Sequence, residues 1–196
     1  MWRTGSAFWE SLSRVVIVLV VGMVAAELAL SQQSAFDLDG NAVNPLDASS
    51  GKIVVLVFLR RDCPVSSRYA PVIRRISAQH VGDASFWLVF PDKNETEQTI
   101  HEYLQTYSYR LPALRDPEHA LVRLGQVLIT PEVAVFNRKH ELIYDGRIDN
   151  WYAELGRSRV APTTHELEDA IQAAADEKTP AMKQVRGVGC YISDLN

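Results

Sequence analysis

A seven-residue apolar run, Ile53 to Leu59 (IVVLVFL), dominates the hydrophobic pattern of the chain. The run is continuous and rich in β-branched residues, which is the pattern of a strand buried on both faces of a sheet. Phe86 to Phe90 (FWLVF) has the same character and predicts a second strand of this kind. From Phe36 onward the sequence therefore predicts an α/β domain.

Three segments have the i, i+3, i+4, i+7 spacing of apolar residues that places them on one face of a helix. The first lies between the two predicted strands, and the other two follow the second strand. Their apolar positions are Tyr69, Val72, Ile73 and Ile76; Ile100, Tyr103, Leu104 and Tyr107; and Leu167, Ala170, Ile171 and Ala174.

Capping signals predict where helices begin. Two pairs have the spacing of N-cap and N3 partners, Asn94 with Glu97 and Thr163 with Glu166. Asp116 precedes a proline, Pro117, and predicts a short helix that runs through Leu124.

Two further strands, Glu132 to Phe136 and Glu141 to Tyr144, are joined by a short polar segment and predict a β-hairpin. The predicted order is β-α-β-α, a short helix, then β-β-α, within a domain that spans residues 32–176. Residues 177–196 lack periodicity and are predicted to form a C-terminal tail that carries Cys190.

The first 31 residues are predicted to be a targeting segment. A twelve-residue apolar run, Val15 to Ala26, lies within the range of about 7 to 15 residues found in signal peptides and below the roughly 20 residues of a membrane span. Ala29 and Ser31 suit cleavage before Gln32. An uncleaved anchor through residues 15–30 is the alternative, and both interpretations place the domain outside the cytoplasm, in the periplasm or secreted.

Composition excludes several classes of protein. The 196 residues carry a formal charge of −4, so no basic excess is present to bind nucleic acid. With only two cysteines, the chain is not a disulfide-stapled mini-protein.

The residues with the clearest chemical potential lie where the first strand meets the first helix, in Arg60-Arg61-Asp62-Cys63-Pro64-Val65-Ser66. Thiols react as thiolates, which are stabilised near helix N-termini and cations. Cys63 precedes Pro64 at the predicted helix start. The nearby cations are Arg60, Arg61 and Arg68, and they are opposed by Asp62. We therefore expect Cys63 to be a reactive cysteine.

The order of these elements, the C-P-x-S sequence at Cys63 and the Thr130-Pro131 pair before the hairpin resemble the thioredoxin fold. More specifically, the chain resembles the redoxins of the alkyl hydroperoxide reductase/thiol-specific antioxidant (AhpC/TSA) group. The resemblance covers Phe36 to Ala175 and is most specific in DCPVSSRYAP and TPEVAVFN.

This resemblance implies a mixed sheet flanked by helices, with Cys63 as the redox-active nucleophile. It also implies that Pro131 is preceded by a cis peptide bond and lies beside Cys63 with Thr130. Pro71 matches a proline within the corresponding helix of thioredoxins.

The chain departs from its relatives at two places. Thioredoxins carry a second cysteine where this chain has Ser66, so the motif cannot resolve its own adducts. Ser66 either donates a hydrogen bond to the thiolate or caps the helix. Peroxiredoxins carry P-x-x-x-[ST]-x-x-C, whereas this chain reads L-V-F-L-R-R-D-C, which does not predict an efficient peroxidase.

Cys190 is the only other cysteine. Three roles remain open: resolving a mixed disulfide at Cys63, forming a static disulfide with it, or staying free. The tail after Asp176 spans up to about 45 Å when extended, which is long enough to reach the site.

No metal or cofactor is predicted, because the five histidines lack paired metal-ligand spacing. Copper-delivery relatives of thioredoxin need C-x-x-x-C, and this chain has Ser67 at the second position. The loop Asp149 to Tyr152 is interpreted as a packed anchor, with a partner groove as the alternative.

We therefore expect an exported thiol-dependent oxidoreductase that acts on a protein or small-molecule disulfide, or on a peroxide, with an external thiol as electron donor. The alternative is a non-catalytic binding module or copper-handling protein in which Cys63 lies in a structural disulfide.

Overall fold

The computed structural model describes residues 35–49, 51–193 and 195. The predicted signal peptide or anchor, residues 1–31, lies outside the described residues. Within the described part of the chain, no helix has both the length and the apolar content needed to cross a bilayer.

The described residues contain twelve short or medium strands, four α-helices and one 3-10 turn at Asp47–Ser49. The strands are β1 (Ala35–Phe36), β2 (Ala42–Val43), β3 (Ile53–Phe58), β4 (Ala84–Phe90), β5 (Ala113–Arg115), β6 (Ile129–Thr130), β7 (Glu132–Phe136), β8 (Leu142–Gly146), β9 (Tyr152–Glu154), β10 (Arg157–Ser158), β11 (Gln184–Val185) and β12 (Cys190–Tyr191). The helices are α1 (Pro64–Gln79), α2 (Glu97–Thr106), α3 (Ala120–Gly125) and α4 (Glu166–Ala175).

Eight strands form one mixed sheet in the order β11-β8-β7-β3-β4-β5-β1-β2. β3 lies at its centre, parallel to β4 and antiparallel to β7, and every residue of β3 is buried. β7 and β8 form the predicted antiparallel hairpin. The α/β class, the two buried strands and the hairpin are therefore confirmed. The sequence did not predict β5, because a strand of three residues is too short to show a pattern.

The core lies on both faces of the sheet because successive side chains of β3 point in opposite directions. Ile53, Val55 and Val57 pack in one cluster with the apolar faces of α1, α2 and α4. Val54, Leu56 and Phe58 pack in the other cluster, with residues of α3. The three predicted helical faces are confirmed, and α1 continues through Pro71.

Two of the predicted helix caps are wrong. Asn94 is held in a turn by Asp92, whose carboxylate accepts from the Asn94 backbone N–H at 2.9 Å. Thr96 instead caps α2, through a reciprocal capping box with Thr99.

At the last helix, the backbone N–H of Thr163 donates to the amide oxygen of Asn150 at 2.7 Å. This contact keeps Thr163 in the preceding loop, and α4 begins only at Glu166, with His165 as the N-cap.

The capping carboxylate of Asp116 is confirmed, but the helix does not begin at Pro117. Asp116 accepts hydrogen bonds from the backbone N–H groups of Ala120, at 2.7 Å, and Val122, at 2.9 Å. Because these donors lie four and six residues further along, α3 begins at Ala120 after an intervening turn.

The C-terminal segment, predicted to be an unpatterned tail, pairs with the domain at two places. β11 lies parallel to β8 at the edge of the main sheet. β12 is antiparallel to β6 in a separate two-stranded sheet, with Cys190 opposite Thr130. Strands of two residues carry no periodicity, so the sequence pattern gave no sign of either pairing.

Candidate active site at Cys63

Cys63 lies where the chain leaves the central strand β3 and enters α1. It is the N-cap residue of α1, and Pro64 is the first residue of the helix. Its side chain is completely buried. Because the first backbone N–H groups of a helix have no partner within it, they point towards the cap and can stabilise a negative sulfur there.

The surroundings of Cys63 favour the thiolate. Burial of the thiol acts to raise its pKa, but hydrogen bonds from the Cys190 thiol, from the backbone and side chain of Ser66, and from the Val65 N–H outweigh it. The pKa of Cys63 is therefore lowered from its ordinary value.

Thr130 lies directly beside Cys63, and Pro131 follows Thr130 in the chain. The peptide bond between them is cis. The carbonyl oxygen of Thr130 is 3.2 Å from Cys63 Sγ and accepts a hydrogen bond from the thiol while it is protonated. Thr130 is completely buried, so the strand β6 forms one wall of the site.

Cys190 lies against Cys63 as well. Both residues are free cysteines. Cys190 is paired with Thr130, whose carbonyl oxygen contacts Cys63 Sγ, and it packs against the core cluster that contains Cys63. Burial raises the pKa of Cys190, and the hydrogen bond to Cys63 and the charge of Cys63 raise it further. In the reduced pair, Cys63 is therefore the stronger acid and Cys190 the weaker one.

The position of Ser66 distinguishes its two proposed roles. Ser66 lies inside α1 and is completely buried, with its hydroxyl directed back towards Cys63. The same oxygen is 3.4 Å from the backbone N–H of Arg60, which donates to it. The geometry therefore favours donation to the sulfur over capping of the helix end.

Arg61 is placed differently from the other candidates. Its side chain is exposed, and its backbone N–H donates to the carboxylate of Glu95 at 3.0 Å. Glu95 is buried, which raises its pKa against the opposing effect of Arg61. The structure therefore links Arg61 to a buried acid and does not place its guanidinium at the sulfur.

Arg60 binds the tail strand next to Cys190, and nothing in the sequence indicated this link to the tail. Its guanidinium donates to the backbone carbonyl of Tyr191 at 3.0 Å, next to Cys190. Asp62, at 2.8 Å, and Asp92, at 3.4 Å, hold the other end of the guanidinium. Arg60 thus fixes the tail strand over the site, and its charge acts to lower the pKa of Cys190.

Glu132 is a second residue that sequence reasoning missed. Its side chain is completely buried directly after Pro131. One carboxylate oxygen accepts from the N–H groups of Leu128 and Ile129, and the other accepts from Gly187 N–H at 2.7 Å. An acidic residue at the start of an otherwise apolar strand was the available signal.

No cluster of three or more His, Cys, Asp or Glu side chains able to hold a metal ion occurs among the described residues. The loop from Asp149 to Tyr152 is packed, as interpreted: Asp149 is buried and accepts a 2.5 Å hydrogen bond from the Tyr69 hydroxyl. This bond ties the loop to α1, the helix that carries the Cys63 motif.

Solved structures show the same fold. A hypothetical protein from Sinorhizobium meliloti 1021 is 18% identical, with a TM-score of 0.68 over 81% of this chain and 88% of that one. The exposed lipoprotein thioredoxin of Streptococcus pneumoniae TIGR4 is 19% identical, with a TM-score of 0.53 over 73% and 97%. A secreted disulfide oxidoreductase of Mycobacterium tuberculosis is 16% identical, with a TM-score of 0.50 over 74% and 96%.

No curated protein sequence matches the chain. The model of the AhpC/TSA family matches residues 21–145, which include the Cys63 motif and the Thr130-Pro131 pair. This match covers more than half of the sequence. The chain therefore has a thioredoxin-like fold and belongs to the AhpC/TSA family.

Proposed function

We propose that the protein is a thiol-dependent oxidoreductase in which Cys63 is the nucleophile and Cys190 the resolving thiol. The observation that carries the proposal is the position of Cys190 opposite Thr130, whose carbonyl oxygen lies 3.2 Å from Cys63 Sγ at the N-terminus of α1. The lowered pKa of Cys63 and the raised pKa of Cys190 agree with these roles. Family membership and a similar disulfide oxidoreductase support the same reaction class.

With a disulfide substrate, the Cys63 thiolate attacks one sulfur, forming a mixed disulfide and releasing the other sulfur as a thiolate that takes up a proton. Cys190 then loses its proton and attacks Cys63 Sγ, which releases the remaining substrate thiolate and forms the Cys63–Cys190 disulfide. An external thiol donor returns two electrons and two protons to regenerate both thiols.

With a peroxide substrate, Cys63 attacks one oxygen, becomes a sulfenic acid and releases an alkoxide or hydroxide that takes up a proton. Cys190 attacks the sulfenic sulfur, which releases water and gives the same disulfide. Ser66 and the α1 N-terminus stabilise the attacking thiolate in both reactions. Thr130 and Pro131 shape the wall against which the substrate sulfur or oxygen lies.

The test is peptide mapping after mild treatment with diamide or hydrogen peroxide, together with assays of Cys63→Ser and Cys190→Ser. We expect an intramolecular Cys63–Cys190 disulfide, loss of all turnover in Cys63→Ser, and accumulation of mixed disulfides in Cys190→Ser. Full activity of the Cys63→Ser variant contradicts the assignment of Cys63 as the nucleophile. A disulfide that forms but resists dithiol reduction supports the non-catalytic module instead.

We also propose that the domain acts outside the cytoplasm. The apolar run from Val15 to Ala26 and the small residues before Gln32 support export, as do the exposed and secreted locations named for two similar proteins. Fractionation and mass spectrometry of the N-terminus test this. A soluble chain starting near Gln32 indicates cleavage, a full-length membrane-bound chain indicates an anchor, and a cytoplasmic chain contradicts export.

A further inference from the structure

The tail strand β12 covers the backbone edge that leads into the active site. Cys190 lies opposite Thr130, whose hydroxyl donates to the Cys190 carbonyl at 3.3 Å. Beyond it, the Ile192 N–H donates to the Leu128 carbonyl at 3.0 Å. The segment from Leu128 to Thr130, directly before Pro131, is thus already paired with the chain's own C-terminus.

Two glycines allow the tail to approach this closely. A Cβ added at Gly189 would lie 2.0 Å from the Thr130 carbonyl oxygen, a backbone atom that cannot move aside. Gly187 lies against Pro131 and Glu132, and its N–H donates to the Glu132 carboxylate. Any residue larger than glycine at position 189 is therefore incompatible with the docked strand.

The docked strand affects substrates of different size unequally. An extended polypeptide binds a free sheet edge through main-chain hydrogen bonds, and here those positions are filled. Cys63 is completely buried, whereas Cys190, which lies against it, is half-buried. A polypeptide therefore has to displace the whole strand before it can pair with this edge, whereas a small molecule needs no main-chain pairing and does not compete with the strand.

We infer that residues 187–192 are a built-in specificity element: while docked, they exclude polypeptide disulfides and admit small oxidants such as peroxides and low-molecular-weight disulfides. Gly189 is the specificity-determining residue, because the docked position depends on its missing Cβ. The inference rests on the proposed function of Cys63 and adds the substrate class.

The first experiment needs no change at the glycine. Cys190→Ser leaves Cys63 as the single cysteine and keeps a hydroxyl in the place of the second thiol. The rates at which N-ethylmaleimide and a maleimide on a large polyethylene glycol chain alkylate Cys63 are each divided by the rate of that reagent with a free peptide thiol. We expect this relative rate to be much higher for N-ethylmaleimide. Equal relative rates for the two reagents overturn the inference, and this result does not depend on any catalytic assay.

The second experiment adds Gly189→Ala in the Cys190→Ser background. Loss of one or two net hydrogen bonds corresponds to about a tenfold change in an equilibrium. We therefore expect alkylation of Cys63 by the bulky reagent to rise by about tenfold. Gly82→Ala is the matched control, because a Cβ there meets open space.

A third measurement locates the effect in the tail. Hydrogen exchange at the Ile192 amide is expected to be slow in the wild type and fast in Gly189→Ala. With Cys190 intact, Gly189→Ala should also form the intramolecular disulfide more slowly after peroxide treatment. Unchanged labelling of Cys63 by the bulky reagent when Gly189→Ala is added to Cys190→Ser overturns the specificity element. The proposed function is tested separately: retained activity of the Cys63→Ser variant would contradict it.

Discussion

Replacing Cys190 by alanine removes the strongest of the hydrogen bonds that lower the pKa of Cys63. Replacing it by serine keeps a donor of similar size at the same place. The two variants differ by the donor and by little else, so their comparison isolates the contribution of this hydrogen bond to the reactivity of Cys63.

The magnitude follows from the strength of such bonds. A hydrogen bond to a charged group contributes about 1.5–3 kcal/mol when buried, and one pH unit of pKa corresponds to about 1.4 kcal/mol. Cys190 is half-buried, so water replaces part of the lost donor and the lower end of the range applies. We expect Cys190→Ala to raise the pKa of Cys63 by about one pH unit, and Cys190→Ser to raise it by less.

The assay is the rate of iodoacetamide alkylation as a function of pH, which rises as the thiol ionises and levels off above its pKa. In both variants Cys63 is the only cysteine, and in the wild type its labelled peptide is followed by mass spectrometry. A higher pKa moves the rise to higher pH, so Cys190→Ala should react about tenfold more slowly below the transition. Identical profiles for the alanine and serine variants would refute the role of the Cys190 hydrogen bond.

Three other substitutions test the packing and the site. Gly125→Ala should lower the free energy of unfolding by about 1–3 kcal/mol in a urea titration, since its Cβ would lie 2.9 Å from the Ala134 Cβ, whereas Gly82→Ala should change it little. Asp116→Ala should lower it by about 1–2 kcal/mol, because two N–H groups at the start of α3 lose their acceptor; an unchanged midpoint contradicts that cap. Ser66→Cys should place a second thiol beside the reactive cysteine and raise the rate at which a low-molecular-weight disulfide is reduced, and no rise would contradict a Ser66 side chain directed at the sulfur.

The sequence predicted those parts of the fold that repeat along the chain. The run from Ile53 to Leu59 and the three apolar helix faces bury large apolar areas. Each of them therefore needs many apolar residues, which form a recognisable pattern in the sequence. Helix starts depend on single side chains that have competing partners. Asn94 is hydrogen-bonded to Asp92, and Thr163 is hydrogen-bonded to Asn150. Neither hydrogen bond can be predicted from the spacing of N-cap and N3 residues.

The residues of the candidate site also differ in whether the sequence predicted them. Cys63 was predictable because a strand, a cysteine and a helix-starting proline are contiguous, and the family resemblance added Thr130 and Pro131. The contact with Cys190 joins segments far apart in the sequence through a two-residue strand. Arg60 and Arg61 are adjacent and chemically identical, so only the three-dimensional path of the tail shows that Arg60 contacts it.

In the proposed reaction, the position of Cys190 beside Cys63 favours a fixed order of the two chemical steps. Beyond burial, the pKa of Cys190 is raised by its hydrogen bond to Cys63 and by the charge of Cys63. While Cys63 is a thiolate, Cys190 therefore stays protonated and serves as a donor. Once Cys63 has entered a mixed disulfide or become a sulfenic acid, that charge is gone and Cys190 ionises more readily, with Arg60 still favouring its thiolate. In the proposed reaction, the first step thus removes two of the three main causes that raise the pKa of Cys190 and favours its attack on the adduct.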